Sequence, residues 1–157
     1  MLHLWRVTSV VGASAILACE GGTRRGGSTS EQTEVHALLD SVAQAISARD
    51  ARGIARRMLS DSSIVYVSDG HAIPGAALQA TLQDFYATQG AIHFRWDSIR
   101  LTPVTEGVWT ATSWAQIALT DTTGITASSR AIFTWTVVRR AGQWELALAH
   151  KTTLPRP

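Results

Sequence analysis

The chain lacks most of what staples or anchors a small protein. It has one cysteine, Cys19, so no disulfide can form within it. No apolar run reaches the roughly 20 residues a helix needs to cross a bilayer; the N-terminal one, Val7 to Ala18, is twelve residues long. Charge of one sign is not in excess either: 14 basic residues face 12 acidic ones. That balance argues against a nucleic-acid-binding role, which needs a concentrated basic face. The one local cluster, Arg49, Arg52, Arg56 and Arg57, falls on a short predicted helix and reads as a solvated face. Lysine is almost missing, with Lys151 standing against thirteen arginines. No zinc spacing, phosphate loop or nucleophile elbow occurs, and His93 and Asp97 lie about 13 Å apart along a strand, too far to chelate one ion. No metal and no cofactor is expected.

What is present begins at the N-terminus. Arg6 and His3 precede the short apolar run, and Ala15-Ile16-Leu17-Ala18-Cys19 closes it. This pattern predicts a secretory signal over residues 1–18, with Ile16 and Ala18 at the positions a lipoprotein signal peptidase reads. Cys19 would then carry acyl chains and hold the protein on a bacterial cell-envelope membrane. The alternative is an ordinary secretory signal, a secreted or periplasmic product and an incidental cysteine. Residues 19–34 carry no large apolar side chain and are rich in Gly and Ser, which predicts a flexible tether. The fifteen residues 20–34 reach about 20 Å root-mean-square.

A single domain is expected over 35–157. Val35, Leu38, Leu39, Val42 and Ile46 form one helical stripe, with Ser30 or Thr33 as its cap. A shorter helix is expected over about 51–59, with Ile54, Met58 and Leu59 inward. Ser63 to Ser68 reads as a strand, Asp69-Gly70 as a hairpin turn and His71-Ala72-Ile73 as its return. Pro74-Gly75 opens a third helix with Leu78, Leu82 and Phe85 inward. From Ala91 the period changes to two, predicting long strands over about 92–104, 108–121, 125–139 and 143–152. Helices followed by an antiparallel meander make an α+β domain, with helices on one face of a curved sheet. Ile92, Phe94 and Trp96 share one strand face, whereas Ile99 and Leu101 fall on the other by strict alternation. A β-bulge near Asp97-Ser98 would reconcile them and bend the sheet.

The last hairpin reads Arg139-Arg140-x-Gly142-x-Trp144, followed by His150 and Thr152. It resembles the closing hairpin of the SnoaL-like, nuclear-transport-factor-2-like superfamily, including the association domain of calcium/calmodulin-dependent protein kinase II. The helix–helix–strand–Asp-Gly–helix order is similar too, and the resemblance spans about 35–153. It implies a cone-shaped, curved antiparallel sheet closed by three helices, a pocket between them, and a homodimer through the outer sheet face.

Even offsets on the last strand put Trp144, Leu146, Leu148, His150 and Thr152 on one side, expected to be the concave one. His150 is therefore the leading candidate for acid–base chemistry or ligand contact, its bland alternative being a core histidine bonded to a carbonyl. Asp97 is the second acid–base candidate, and Tyr66 a polar contact or a simple strand residue. Glu145 faces away from His150 by the same count, and no acid matches the superfamily's catalytic positions by motif. Trp96, Trp135 and Trp144 are expected to line the pocket together with Tyr66 and His150. Trp109 and Trp114 face opposite ways, leaving one for the outer face. Three functions follow: binding of a small apolar or aromatic ligand in the cone; proton transfer by an isomerase, cyclase or dehydratase using His150 or Asp97; and a non-catalytic dimerising scaffold.

Overall fold

The computed structural model describes residues 27–58 and 65–155. The expected signal, Cys19, most of the tether and Leu59 lie outside the described residues. Helix α1 spans Thr29–Ser47, six residues further upstream than its apolar stripe. Ser28 caps it: its hydroxyl accepts from the Glu31 N–H at 3.1 Å, and Glu31 Oε2 accepts from the Ser28 N–H at 3.2 Å. This reciprocal pair satisfies two of the donors a helix start leaves orphaned. Residues 29–34 therefore belong to the helix and not to the tether, and Ser28 is the cap in place of Ser30 or Thr33.

Helix α2, Ala51–Ala55, is short and starts where the Asp50 carboxylate accepts from the Gly53 N–H at 2.7 Å. Strands β1, Val65–Ser68, and β2, His71–Pro74, form the expected hairpin. Its turn residues Asp69 and Gly70 both have positive φ, 49° and 86°, as a two-residue hairpin of this hand requires. Helix α3 is Gly75–Ala87. It buries Leu78 and Tyr86, while Phe85, expected inward, is 42% exposed. Strands β3 (Gln89–Thr105), β4 (Val108–Asp121), β5 (Thr126–Arg140) and β6 (Gln143–Thr153) follow as the period-two pattern predicted.

The sheet order is β2-β1-β6-β5-β4-β3. The four long strands form an antiparallel meander, and the β1–β2 hairpin joins it through a parallel pairing of β1 with β6. Strict alternation on β4 and β5 buries Trp109, Ala111, Ser113 and Ala115, then Ala131, Phe133, Trp135 and Val137, on the face toward the helices. Val35, Leu39 and Val42 of α1 pack onto it, fully buried. Trp109 is buried, whereas Trp114 lies on the opposite, outer face and is half-buried.

The β3 ladder slips between Trp96 and Ser98, leaving Asp97 unpaired. Beyond this bulge Ile99 pairs with Ser113 and Leu101 with Ala111, so both face inward with Trp96. Four aromatics fill the concave face. Phe133 and Trp135 stack at 5.3 Å, and Trp96 meets Phe94, Phe133 and Trp135 edge-on at 4.6, 5.6 and 6.1 Å. Such pairs contribute about 1 kcal/mol each beyond the area they bury. Trp135 Nε1 donates to the fully buried Ser113 hydroxyl at 3.0 Å. Replacing Ser113 by Ala strands that N–H away from water. Chemical denaturation of Ser113→Ala is expected to show a loss of about 1–3 kcal/mol with an unchanged m-value.

Candidate functional site

Between the three helices and the concave face lies a cavity of about 300 Å³. Val42 and Ile46 of α1, Ile54 of α2, and Leu78, Leu82 and Tyr86 of α3 form one wall. Ile92, Phe94, Phe133, Trp135 and Leu146 of the sheet form the other. These wall residues come from positions that their own helix or strand turns inward. The bend of the sheet is what keeps the two walls apart.

The polar lining is restricted to Tyr66, Ser68, Thr81, Tyr86, Ser129 and Lys151. These are hydroxyls and one ammonium; among the described residues no carboxylate or imidazole lines the cavity. Burial pushes the Tyr66 phenol up to about 12, against a smaller opposing effect of its hydrogen bond with Ser68. Burial raises Tyr86 as well. Both therefore keep their O–H at neutral pH.

At one end of the cavity the Lys151 ammonium donates to Asp69 Oδ2 at 2.7 Å, to Thr153 Oγ1 at 2.9 Å and more weakly to Ser68 Oγ at 3.4 Å. Asp69 also accepts from the Thr153 N–H at 2.6 Å and from its hydroxyl at 3.0 Å. The Asp69 N–H donates to the Lys151 carbonyl at 3.0 Å. The β1–β2 turn is thus clasped to the end of β6. Lys151 beside it, and then Thr153, hold the Asp69 carboxyl down to about 2.

Two expected acid–base candidates lie outside this cavity. His150 is exposed on the outer face. The reason is a second bulge: Val137 pairs with Leu146 but Thr136 with Leu148, so Ala147 has no partner in the ladder. Alternation restarts there. Ala149 and Lys151 turn inward, while Leu148, 41% exposed, and His150 turn out. Counting by even offsets across Ala147 reversed the two faces. Asp97 is the unpaired residue of the first bulge, beside Arg95 at 3.5 Å, and does not line the cavity.

Of the expected pocket side chains, Tyr66 and Trp135 line the cavity. Trp96 and Trp144 do not; both act as struts to α1. Trp96 Nε1 donates to the Leu39 carbonyl at 3.3 Å. Trp144 Nε1 donates to Glu34 at 2.8 Å, with the Arg139 guanidinium 5.6 Å over its ring. Lys151 and Ser68 were missed as site residues. The only signals for them were the chain's single lysine and the Asp-Gly turn that follows Ser68.

A second hollow, open and about 580 Å³, lies against the outer side of the sheet near His93, Arg95, Gln116, Arg130 and Leu154. It is larger but more open and more polar, so the cavity under the helices is the better site for a small molecule. Among the described residues no three of His, Cys, Asp and Glu come together to hold a metal ion, and no helix is long and apolar enough to cross a membrane.

No protein-family model matches the sequence, and no curated protein matches it. Solved structures do. One is a candidate dehydratase of the nuclear-transport-factor-2-like family from Streptomyces avermitilis: TM-score 0.71, 14% identity, 81% of this chain and 98% of that one. The fold is the nuclear-transport-factor-2-like cone. A candidate calcium/calmodulin-dependent protein kinase II association domain from Xanthomonas campestris matches with TM-score 0.68 at 16% identity, over 79% of this chain and 88% of that one. A hexachlorocyclohexane dehydrochlorinase matches with TM-score 0.71 at 12% identity, over 80% and 86%.

The Asp69 clasp sets an acid limit. Its folded-state pKa lies below the ordinary 3.8, so its stabilisation is complete above pH 4 and is lost as pH falls from about 4 to about 2. Acid-unfolding curves of Asp69→Asn are expected to be flatter than wild type over that window. Equal slopes would show that the clasp carries no stability.

Proposed function

We propose that this protein holds a small apolar or aromatic ligand in its cone and does so at the cell envelope. One observation supports the binding reading above the others: a largely apolar cavity between helices and sheet whose polar groups are hydroxyls and one ammonium gathered among otherwise hydrophobic walls. Structural neighbours named as a candidate dehydratase and a dehydrochlorinase support a cone suited to small organic molecules. They also keep proton transfer as the second reading. Such chemistry needs a base at the substrate, and neither His150 nor Asp97 reaches the cavity. The titratable groups that line it are Tyr66, Tyr86 and Lys151, so proton transfer here would have to involve one of these. The scaffold reading needs a homodimer through the outer sheet face, where Trp114 offers apolar surface.

Native mass spectrometry of the purified protein is expected to show a retained small-molecule mass, lost in a variant whose cavity is filled by Ala149→Leu. A protein that never carries an adduct, and whose Trp135 fluorescence answers no aromatic compound, would leave the scaffold reading. Envelope attachment rests on the Cys19 pattern. Cys19→Ser is expected to move the protein from the membrane fraction to the soluble exported fraction. An unchanged distribution would exclude the lipid anchor.

A further inference from the structure

The outer side of the sheet gathers donors that the cone does not use. Cross-strand register sets Arg95 of β3 opposite Gln116 of β4, and Gln116 opposite Arg130 of β5. All three are exposed on the outer face and line the open hollow of about 580 Å³. Two residues back along β3, His93 pairs with Ala118, and both line the same hollow. The small Ala118 side chain leaves room there beside the longer Arg95, Gln116 and Arg130. Leu154, whose N–H donates to the Arg130 carbonyl at 2.8 Å, adds an apolar rim. The Arg130 guanidinium, the Gln116 amide and the His93 imidazole have no hydrogen-bond or ion-pair partner among the described residues. Arg95 leans on Asp97 through one long contact, Nη2 to Oδ1 at 3.5 Å, which leaves most of its five donors open. Asp97 itself does not line the hollow.

We propose that this outer hollow binds a phosphate monoester group, held between Arg95 and Arg130 over Gln116, with the body of the molecule against Leu154. The two arginines stand two strand spacings apart, about 10 Å between their Cα atoms, so both long side chains can converge on one group. A carboxylate has two oxygens and one charge, enough for a single guanidinium fork. A phosphate monoester carries close to two charges and three terminal oxygens, which matches two guanidiniums with an amide between them. His93 adds a ring N–H on the far side of Ala118. Because the hollow is open, salt screens these contacts, and binding weakens as ionic strength rises.

Isothermal titration of the full-length protein at about pH 7.5, above the second phosphate pKa, with phenyl phosphate, methyl phenyl phosphate and benzoate tests this. The probes share one ring and bear a phosphate monoester, a singly charged diester or a carboxylate. Phenyl phosphate is expected to bind about tenfold more tightly than either of the others, the scale of one further charge-assisted hydrogen bond. Arg130→Ala should remove that preference. Arg100→Ala, at an exposed arginine of the same outer face that does not line the hollow, should leave it unchanged. Repeating the titration beside phosphatidylcholine vesicles with and without phosphatidic acid separates the sources of the group. Competition by phosphatidic acid assigns it to a lipid, no competition assigns it to a soluble molecule, and either result upholds the site. Equal affinity for the three probes, an equal loss in Arg100→Ala, or no binding of phenyl phosphate would overturn the inference and leave the reading of the cone untouched.

Discussion

Long strands can cover three helices only by bending, and this sheet bends where a residue drops out of the ladder. Asp97 leaves the β3–β4 pairing and Ala147 leaves the β5–β6 pairing. Each bulge increases local twist and reverses which residues face the helices. The first keeps Trp96, Ile99 and Leu101 on one side. The second turns Leu146 and then Ala149 and Lys151 inward. Which residues of β3 and β6 face the helices, Lys151 among them, follows from these two irregularities.

The core and the cavity divide the aromatic residues between them. Trp96 is wedged edge-on among Phe94, Phe133 and Trp135 and tied to α1 by its indole N–H. Trp144 is tied to α1 near the helix start, through Glu34. These struts fix how far the helix stands from the sheet. Phe133 and Trp135 serve both purposes, being stacked in the core and present in the cavity wall. Phe94 meets Phe133 edge-on in the same wall, and Trp135 is held further by its hydrogen bond to Ser113.

The clasp at Asp69 closes the opposite side. Parallel pairing joins β1 to β6 over only three residue pairs, Tyr66 to Ser68 against Ala149 to Lys151. So short a junction is reinforced by the Asp69 carboxylate, which gathers Lys151 and both donors of Thr153. The same contacts neutralise the ammonium beside the cavity. A group that completes the sheet thus also determines the electrostatics of the site.

The amino-acid pattern by itself determined the elements. The 3.6-residue stripe on α1, the Asp-Gly turn and the period-two runs located nearly every helix and strand. The conflict between Trp96 and Leu101 revealed the first bulge, because large apolar residues on both sides of it demanded one face. Nothing comparable marked the second. Small Ala147 and Ala149 are compatible with either face, and Leu148 tolerates exposure, so alternation carried through Ala147 without a visible conflict. That single missing break placed His150 inside and Lys151 outside. Pairing between strands, which depends on neighbours far apart in the chain, decided the opposite. Which hydroxyls and which charge meet at the cavity was settled only when β1 docked beside β6, because that contact joins Asp69 to residues 151 and 153 and no local pattern encodes it.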